Sequence, residues 1–553
     1  MRIFSLCKQY LLSYKYKLTI FVIISLVTTS IGIILPFVSG SFLNNLLVGD
    51  DRGIILRFCI VFGVLSFAKI LIGFITAILR TKIHNRLSFN LNRDSITQIQ
   101  GQSLYYINQQ DNSYLNQRLY QDSNNLMGFS IGVLQSITTN LALFIIPFVI
   151  LMNINWHVTM LMGGFLMLYV ALYFALRKPL YSASFGFKET QAKLISKLYE
   201  QLKFAKTIKI NSIKHEINQR MDNSFSNFET TAICSQKIYY LYSSLDGFIV
   251  SLAQMALFVF GGILVLEGSF TIGMFVVFSS YFKMMIGAGR YFFGLGALYQ
   301  NNLASYERLR EIFENKQESC GKMQLSTVTK IELSNINFSF GLSESNHTQF
   351  LENRTIIKNF DVELMKGNIY ALKGGNGTGK STLVSLIIGM YIDDFEGGIY
   401  YDGIDINEID MSLVRKKIIG FAEQEPLLFN DTIMYNLDFG YKTDDNISTS
   451  LSLDELIKLL NMEDFMTSNN LDFIINDKNN NISGGERQKI AILRVLYKNP
   501  TVMIFDEPTS AFDTETTKKF IEYLRQIKND KIIVIITHDE CIEKSCDCVI
   551  ELS

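Results

Sequence analysis

Gly374-Gly375-Asn376-Gly377-Thr378-Gly379-Lys380-Ser381-Thr382 is the stretch from which the rest of the chain can be read. It fits the spacing G-x-x-x-x-G-K-[ST], with Gly374 opening and Gly379, Lys380 and Ser381 closing, which is a phosphate-binding loop. The chemistry needs these residue types. Glycine has no Cβ, so backbone N–H groups turn inward around phosphate oxygens. Lys380 is long enough to reach β- and γ-phosphates, and the Ser381 hydroxyl suits Mg²⁺. Such a loop has to lie between a strand and a helix. Asn368–Lys373 reads as a strand and Thr382–Ile388 as the start of an apolar helix. A glycine-rich surface turn has no reason to carry Lys-Ser-Thr ahead of such a helix.

Further motifs follow in the last third of the chain. Thr501–Asp506 is an apolar strand ending in two carboxylates. That pattern sets Asp506 beside Mg²⁺ and leaves Glu507 to orient or deprotonate an attacking water. Ile482–Gln488 opens a helix, and its Ser483 and exposed N–H groups form an anion site at the helix N-terminus. Lys531–His538 is another buried strand, ending in a histidine within reach of a γ-phosphate. Lys330–Phe340 reads as a strand, and Phe340 is the aromatic best placed to stack on an adenine ring; a plain core position is the alternative. Gly341–Thr355 is polar and reads as a surface loop.

The first 310 residues have a different character. The chain has 553 residues, room for several domains, and is 48% hydrophobic. Six apolar runs reach membrane-spanning length, about 20 residues each: Leu18–Val38, Ile54–Leu79, Met127–Leu151, Trp156–Leu176, Leu245–Leu266 and Phe270–Phe293. Six such runs do not suit the buried helices of a soluble core. The net charge of −1 lacks the basic excess of a nucleic-acid binder, so no nucleic-acid partner is expected. Seven cysteines are scattered without metal spacing, which agrees with a reducing cytosolic face. The first run is too long for a cleavable signal and no small-residue cleavage site follows it.

Charge sets the expected orientation. Lys8, Lys15 and Lys17 precede the first run, Arg80, Lys82, Arg86 and Arg93 follow the second, and a lysine-rich stretch from Arg177 to Lys214 follows the fourth. The opposite loops are short and hold Arg52 beside Asp50 and Asp51. The positive-inside rule puts both termini in the cytosol. Links after runs two and four are long, polar and helix-like, so runs two to five are expected to continue as helices into the cytosol. Short amphipathic turns, Leu104–Arg118 and Lys206–Glu216, fall at their far ends and suit docking onto another domain. Lys69, Lys283 and Arg290 lie inside the runs. Intramembrane charge faces a cavity or a partner when it does not snorkel, so one expectation is a shared basic patch for an acidic group of a substrate.

At these residues the chain resembles the ATP-binding-cassette transporters, over nearly its whole length. Six spans followed by one nucleotide-binding domain resemble an exporter half-transporter: an α-helical membrane domain (1–310), a linker (311–329) and an α/β P-loop NTPase domain (330–553). The resemblance implies that Gly374–Ser381 is Walker A, that Asp506 closes Walker B, and that Glu507 is the catalytic glutamate. It implies that Gln424 is the Q-loop glutamine beside the metal and the reaction, that Ser483, Gly484, Gly485 and Glu486 belong to the signature, and that Asp513 lies in the D-loop. His538 is then the switch histidine and Phe340 the adenine-stacking aromatic. ATP and Mg²⁺ are the implied cofactors. In the family, ATP sits between Walker A of one subunit and the signature of the other, so a dimer is implied. A homodimer is the expectation, a heterodimer the alternative.

The chain also departs from the pattern. Its signature begins with Ile482 and ends in Glu486, where Leu and Gln are commoner. Where exporters carry T-x-V-G-E-x-G, Phe473–Asn479 retains only the acid at Asp477, with Asn476 and Asn479 in place of glycine. Asparagine tolerates left-handed backbone, so the loop shape is expected to survive. The usual C-terminal helices are not expected after His538, nor is a constitutive contact between nucleotide domains. No protease domain is read ahead of the first span, so cleavage of a leader peptide is not expected either. The leading reading is an ATP-driven exporter in the cell membrane, with a peptide or antimicrobial peptide favoured as substrate. The alternatives are a lipid or multidrug exporter and, in a different class, an ATP-gated channel or regulatory subunit.

Overall fold

The computed structural model describes residues 2–48, 53–108, 112–315, 317–340, 354–375, 377–439, 451–476 and 481–552. The chain divides into two compact units, one built from residues 1–97 and 112–314, the other from 98–111 and 315–553.

The first unit is helical. A short α1 (Arg2–Ser13) leads into α2 (Lys15–Val48) and α3 (Gly53–Gln100). The next helix in the chain, α4 (Leu104–Asn108), belongs to the second unit. The first unit then resumes with α5 (Asn112–Ile154), α6 (Trp156–Lys203), α7 (Ala205–Asn211), α8 (Lys214–Leu266) and α9 (Ile272–Glu314). Six of these helices are long and apolar enough to cross a membrane. Each expected run falls in its own helix, the sixth starting at Phe270 in the turn ahead of α9. Helices are required here because hydrocarbon offers backbone groups no partner. Helix α3 has 48 residues and α8 has 53, lengths of about 72 and 80 Å at about 1.5 Å per residue. Both exceed a hydrocarbon core of about 30 Å, so the polar links do continue as helix. Phe67, Ile70 and Phe74 on α3 stand exposed, as apolar groups do on a surface facing lipid.

Inside this unit the helices join through apolar packing with a few polar clasps. Ile33, Leu151, Met162, Leu257, Phe278 and Tyr281 share one buried cluster, and the Tyr281 hydroxyl donates to the Ile33 carbonyl at 2.8 Å. Buried Asp122 of α5 accepts from Ser305 Oγ and Arg308 Nε of α9, each at 2.7 Å. Arg290 requires a correction to the expected basic patch. It donates to Asp246 of α8 at 3.2 Å and is ion-paired with it, so its charge is already answered within the protein.

The second unit carries two sheets. β1 (Lys330–Phe340), β2 (Arg354–Met365), β4 (Phe395–Tyr401) and β5 (Ile404–Asp405) make an antiparallel sheet in the order β2-β1-β4-β5. β3 (Ile369–Gly374), β6 (Ile419–Ala422), β7 (Val502–Asp506), β8 (Ile532–Ile536) and β9 (Cys548–Leu552) make a parallel one in the order β6-β7-β8-β3-β9. Helices α10 (Lys380–Ile387), α11 (Met411–Lys417), α12 (Ile433–Asp438), α13 (Leu453–Leu459), α14 (Glu463–Ser468), α15 (Gly484–Lys498), α16 (Thr514–Ile527) and α17 (Glu540–Glu543) complete it. The central parallel strands β7 and β8 are apolar nearly throughout because both faces are covered. Val502, Ile504, Ile532, Val534 and Ile536 point into one core. Met503, Phe505, Ile533 and Ile535 point into the other, as a period of two requires. The strand expected to end at Lys373 runs one residue further, and the segment read as a loop up to Thr355 gives way to β2 at Arg354; residues 341–353 lie outside the described ones. Strand β9, which sequence reading passed over, pairs with β3 from Tyr370↔Cys548 to Gly374↔Leu552.

Candidate functional site

The parallel sheet ends where the chemistry begins. Strand β3 delivers Gly374, and helix α10 starts at Lys380 with Gly379 as its N-cap, φ +97°. Two glycines are needed for space. A Cβ at Gly374 would lie 2.6 Å from Thr378 Oγ1 and 2.7 Å from the Leu552 carbonyl. A Cβ at Gly379 would meet Ile356 Cγ2 at 2.6 Å, on a backbone that side chains rarely adopt. Lys380 Nζ donates to the carbonyls of Gly374 and Gly375 at 2.8 and 3.0 Å, so the ammonium lies curled over its own loop. Thr378 Oγ1 donates to Gly375 O at 3.0 Å. Ser381 and Thr382 occupy the first turn of α10. Gly375 and Gly377 complete the loop, whereas Asn376 lies outside the described residues.

Neighbouring strand ends converge on Glu507. Strand β7 carries Asp506 at its tip, and Glu507 follows in left-handed backbone, φ 46° and ψ 51°. Gln424, just past β6, donates Nε2 to Glu507 Oε2 at 2.7 Å. His538, just past β8, places Nε2 at 3.6 Å from Glu507 Oε1. Gln488 of α15 donates to the Glu507 carbonyl at 2.8 Å and accepts from Ser510 Oγ at 2.7 Å. Half-buried Asp506 has its carboxyl pushed up to about 6 by burial first, with Glu507 and Glu423 adding to this and Lys380 opposing it. Sequence reading did not single out Gln488. Its signal is its place two residues beyond Glu486 on a helix whose N-terminus had been recognised.

The signature forms a helix start of its own. Ser483 is the N-cap of α15 and Glu486 closes a capping box with it. Glu486 N donates to Ser483 Oγ at 3.2 Å, while Ser483 N donates to Glu486 Oε2 at 2.6 Å. Gly484 and Gly485 are the first helical residues. No hydrogen bond joins Ser483–Glu486 to the phosphate loop among the described residues. Asp513 also stands apart from that loop. It caps α16, accepting from Thr516 N at 2.6 Å, and this bond holds its carboxyl below the usual range. Phe340 ends β1, and its side chain lies outside the described ones.

The atypical loop upstream of the signature is closed by a residue that sequence reading did not name. Asn481 Oδ1 accepts from Asn476 N at 3.0 Å, and Asn481 Nδ2 donates to Ile474 O at 2.9 Å. Asp477 and Asn479, on which the expected loop shape also depends, lie outside the described residues.

Two family models match the chain, ABC transporter transmembrane region over residues 18–288 and ABC transporter over residues 357–510. The solved structure of a bacterial Atm1-family ABC exporter with ATP bound is similar in fold, with a TM-score of 0.81 over 98% of this chain and 94% of that one, at 19% identity. An ATP-dependent lipid A-core flippase of Syntrophus aciditrophicus is 26% identical over 87% of this chain and 78% of its own length. The lactococcin-G-processing and transport ATP-binding protein LagD of Lactococcus lactis is 26% identical over 65% of this chain and 50% of its own. Of several curated relatives the chain spans half the length or less. A phosphate loop, a carboxylate pair at a strand tip and a capped signature helix, carried on a chain with six membrane-length helices among the described residues, agree with both models: the chain belongs to the ABC transporters, with a transmembrane region and an ATP-binding-cassette region in one chain, the arrangement of a half-transporter.

Proposed function

We propose that this chain is one half of an ATP-driven exporter that works as a homodimer in the cell membrane, both termini and the nucleotide domain cytosolic. Residues 1–310 form the membrane domain and 330–553 the nucleotide domain, joined by 311–329. One observation carries the reading. Glu507 is gripped by Gln424 and faced by His538 in a chain that also holds an intact phosphate loop and a capped signature helix, so each subunit supplies both halves of a composite site. Lys380 binds the β- and γ-phosphates, the loop N–H groups hold their oxygens, and Ser483 with the α15 N-terminus faces the nucleotide held by the partner subunit. Phe340 stacks on the adenine and Asp513 lies near the subunit junction.

The donor set fits a hard divalent cation. Gln424 gives its amide N–H to Glu507 and so keeps its carbonyl oxygen for a ligand; the Ser381 hydroxyl and the Asp506 carboxylate are the other donors that would hold it. Three oxygens of this kind suit Mg²⁺, and a nearby cation would oppose the burial and, after it, the Glu507 charge that raise the Asp506 carboxyl. When bound, Mg²⁺ supplies charge neutralisation between the phosphates. Glu507 then takes the proton of the attacking water, Gln424 fixes the direction of its carboxylate, and His538 stands where the γ-phosphate leaves.

Relatives described by their names as a lipid A-core flippase and a lactococcin-G transporter give the lipid and the peptide readings equal support. Uptake of substrate into inside-out vesicles against its gradient, driven by ATP and abolished by Glu507→Gln, is the expected result. An ATP-gated channel would instead let substrate equilibrate without accumulation.

A further inference from the structure

We propose that the membrane domain binds an anionic amphiphile, its acidic head group between Lys69 and Arg80 and its apolar body along α2 and α5. This rests on the exporter reading and deepens it by naming the substrate class. A cavity of about 850 Å³ opens among α2, α3 and α5. Its walls carry Lys69 and Arg80 with the neutral groups of Thr29, Thr76, Gln135 and Asn140, and no carboxylate. Lys69 and Arg80 share one face of α3, their backbone positions about 16 Å apart along the helix at about 1.5 Å per residue, and both side chains line the same cavity.

Neither cation is ion-paired among the described residues, in contrast to Arg290 on Asp246. Lys69 lies inside the second apolar run, where charge is costly when unanswered and faces a cavity or partner; Arg80 directly follows that run. Snorkelling would draw both heads along α3 toward the interface. They cross to neighbouring helices instead. Lys69 Nζ lies 3.3 Å from where a Cβ on Gly32 of α2 would be, and Arg80 Nη2 lies 3.6 Å from the same point on Gly132 of α5. Lys283, expected to share this role, is exposed and does not line the cavity.

A second cavity, of about 330 Å³, follows along the same two helices and is lined by Ile33, Ile34, Phe37, Ile146 and Ile150. Its two hydroxyls are already engaged, Ser30 with Leu26 O and Tyr281 with Ile33 O. Polar and cationic at one end and apolar at the other, the pair of cavities complements a charged head on a hydrocarbon body. A peptide backbone brings donors and acceptors along its whole length, and the apolar end leaves them without partners. A hydrocarbon chain needs none.

The test is equilibrium binding of radiolabelled dodecyl phosphate to the full-length protein in nanodiscs, without ATP. Saturable binding is expected, weakened about tenfold by Lys69→Gln and by Arg80→Gln, the scale of one charge-assisted contact. The double variant should lose less than the product of the two, because both groups hold one ligand. Lys69→Arg, which keeps the charge, should bind nearly as the parent, and Lys283→Gln should not differ from it; these two variants separate a lost contact from a misfolded domain. Equal affinity in all variants overturns the proposal. So does equal binding of uncharged dodecanol, or saturable binding of an apolar dodecapeptide with a free C-terminal carboxylate in place of the phosphate. ATP-driven uptake into inside-out vesicles reads the exporter assignment separately. Binding without uptake sinks that assignment and keeps the site, and uptake of another substrate without phosphate binding does the reverse.

Discussion

Glu507 sits in left-handed backbone directly before Pro508, a conformation that costs a non-glycine residue about 1–3 kcal/mol and persists where surrounding contacts enforce it. Those contacts are its N–H on Ile536 O at 3.0 Å, its carbonyl on Gln488 and its carboxylate on Gln424. Glu507→Gln keeps the shape and removes the base, so steady-state hydrolysis should fall by about 100-fold or more while equilibrium binding of ATP persists; turnover at the parent rate would remove Glu507 from the chemistry. Lys380→Ala should weaken nucleotide binding itself. Glu486 is the second residue to probe. Its carboxylate is bonded to the Ser483 N–H and hydroxyl and adds negative charge at a helix end suited to phosphate. Glutamine keeps the capping box and removes that charge, so Glu486→Gln should lower the KM for ATP by about two- to fivefold. An unchanged KM would mean that the nucleotide does not meet this helix end.

Between α5 and α9, Asp122 is nearly sealed from solvent, its side chain 3% exposed, and is held by Ser305 and Arg308. Removing Asp122 ends its charge-assisted hydrogen bonds, at about 1.5–3 kcal/mol, while the Arg308 left behind is 37% exposed and partly solvated. Asp122→Ala should therefore lower the thermal midpoint of the detergent-purified protein markedly, and a midpoint equal to the parent's would show the clasp to be idle. At the C-terminal end of α15, Lys498 donates to Arg415 O and Ile419 O, and burial pushes its amine down to about 8. The native state then holds fewer protons than the unfolded chain between about pH 8 and the ordinary lysine value of 10.5, so stability rises with pH across that window and is flat below it. Thermal unfolding at pH 8 and pH 10 should show a larger upward shift for the parent than for Lys498→Met.

The chain carries both the phosphate loop and the signature helix, and under the proposed function this makes a prediction about the assembly. If two identical chains form the working unit, each site needs Walker A from one and the signature from the other. Mixing parent protein with increasing shares of Lys380→Ala should reduce ATPase activity more steeply than in proportion to the parent fraction. A strictly proportional decline would mean that each subunit turns over alone, and activity only with a different half-transporter would point to a heterodimer.

Motifs of short range were legible in the residues themselves. The phosphate loop, the Asp506–Glu507 pair and the Ser483 helix start depend on local backbone geometry, which neighbouring residue types dictate. The six long helices follow from apolar length, because hydrocarbon allows no other way to satisfy the backbone. Strand β9 was not legible: Cys548–Leu552 is short and largely exposed, and its pairing is with the edge of β3. Likewise, nothing in the spacing of Lys69, Lys283 and Arg290 separates them. Asp246 lies on another helix and answers Arg290 alone, while Lys69 and Arg80 line a cavity that exists only once α2, α3 and α5 are packed. Which charges are neutralised and which remain for a ligand depends on distances between residues far apart in the chain, and those distances exist only in the folded molecule.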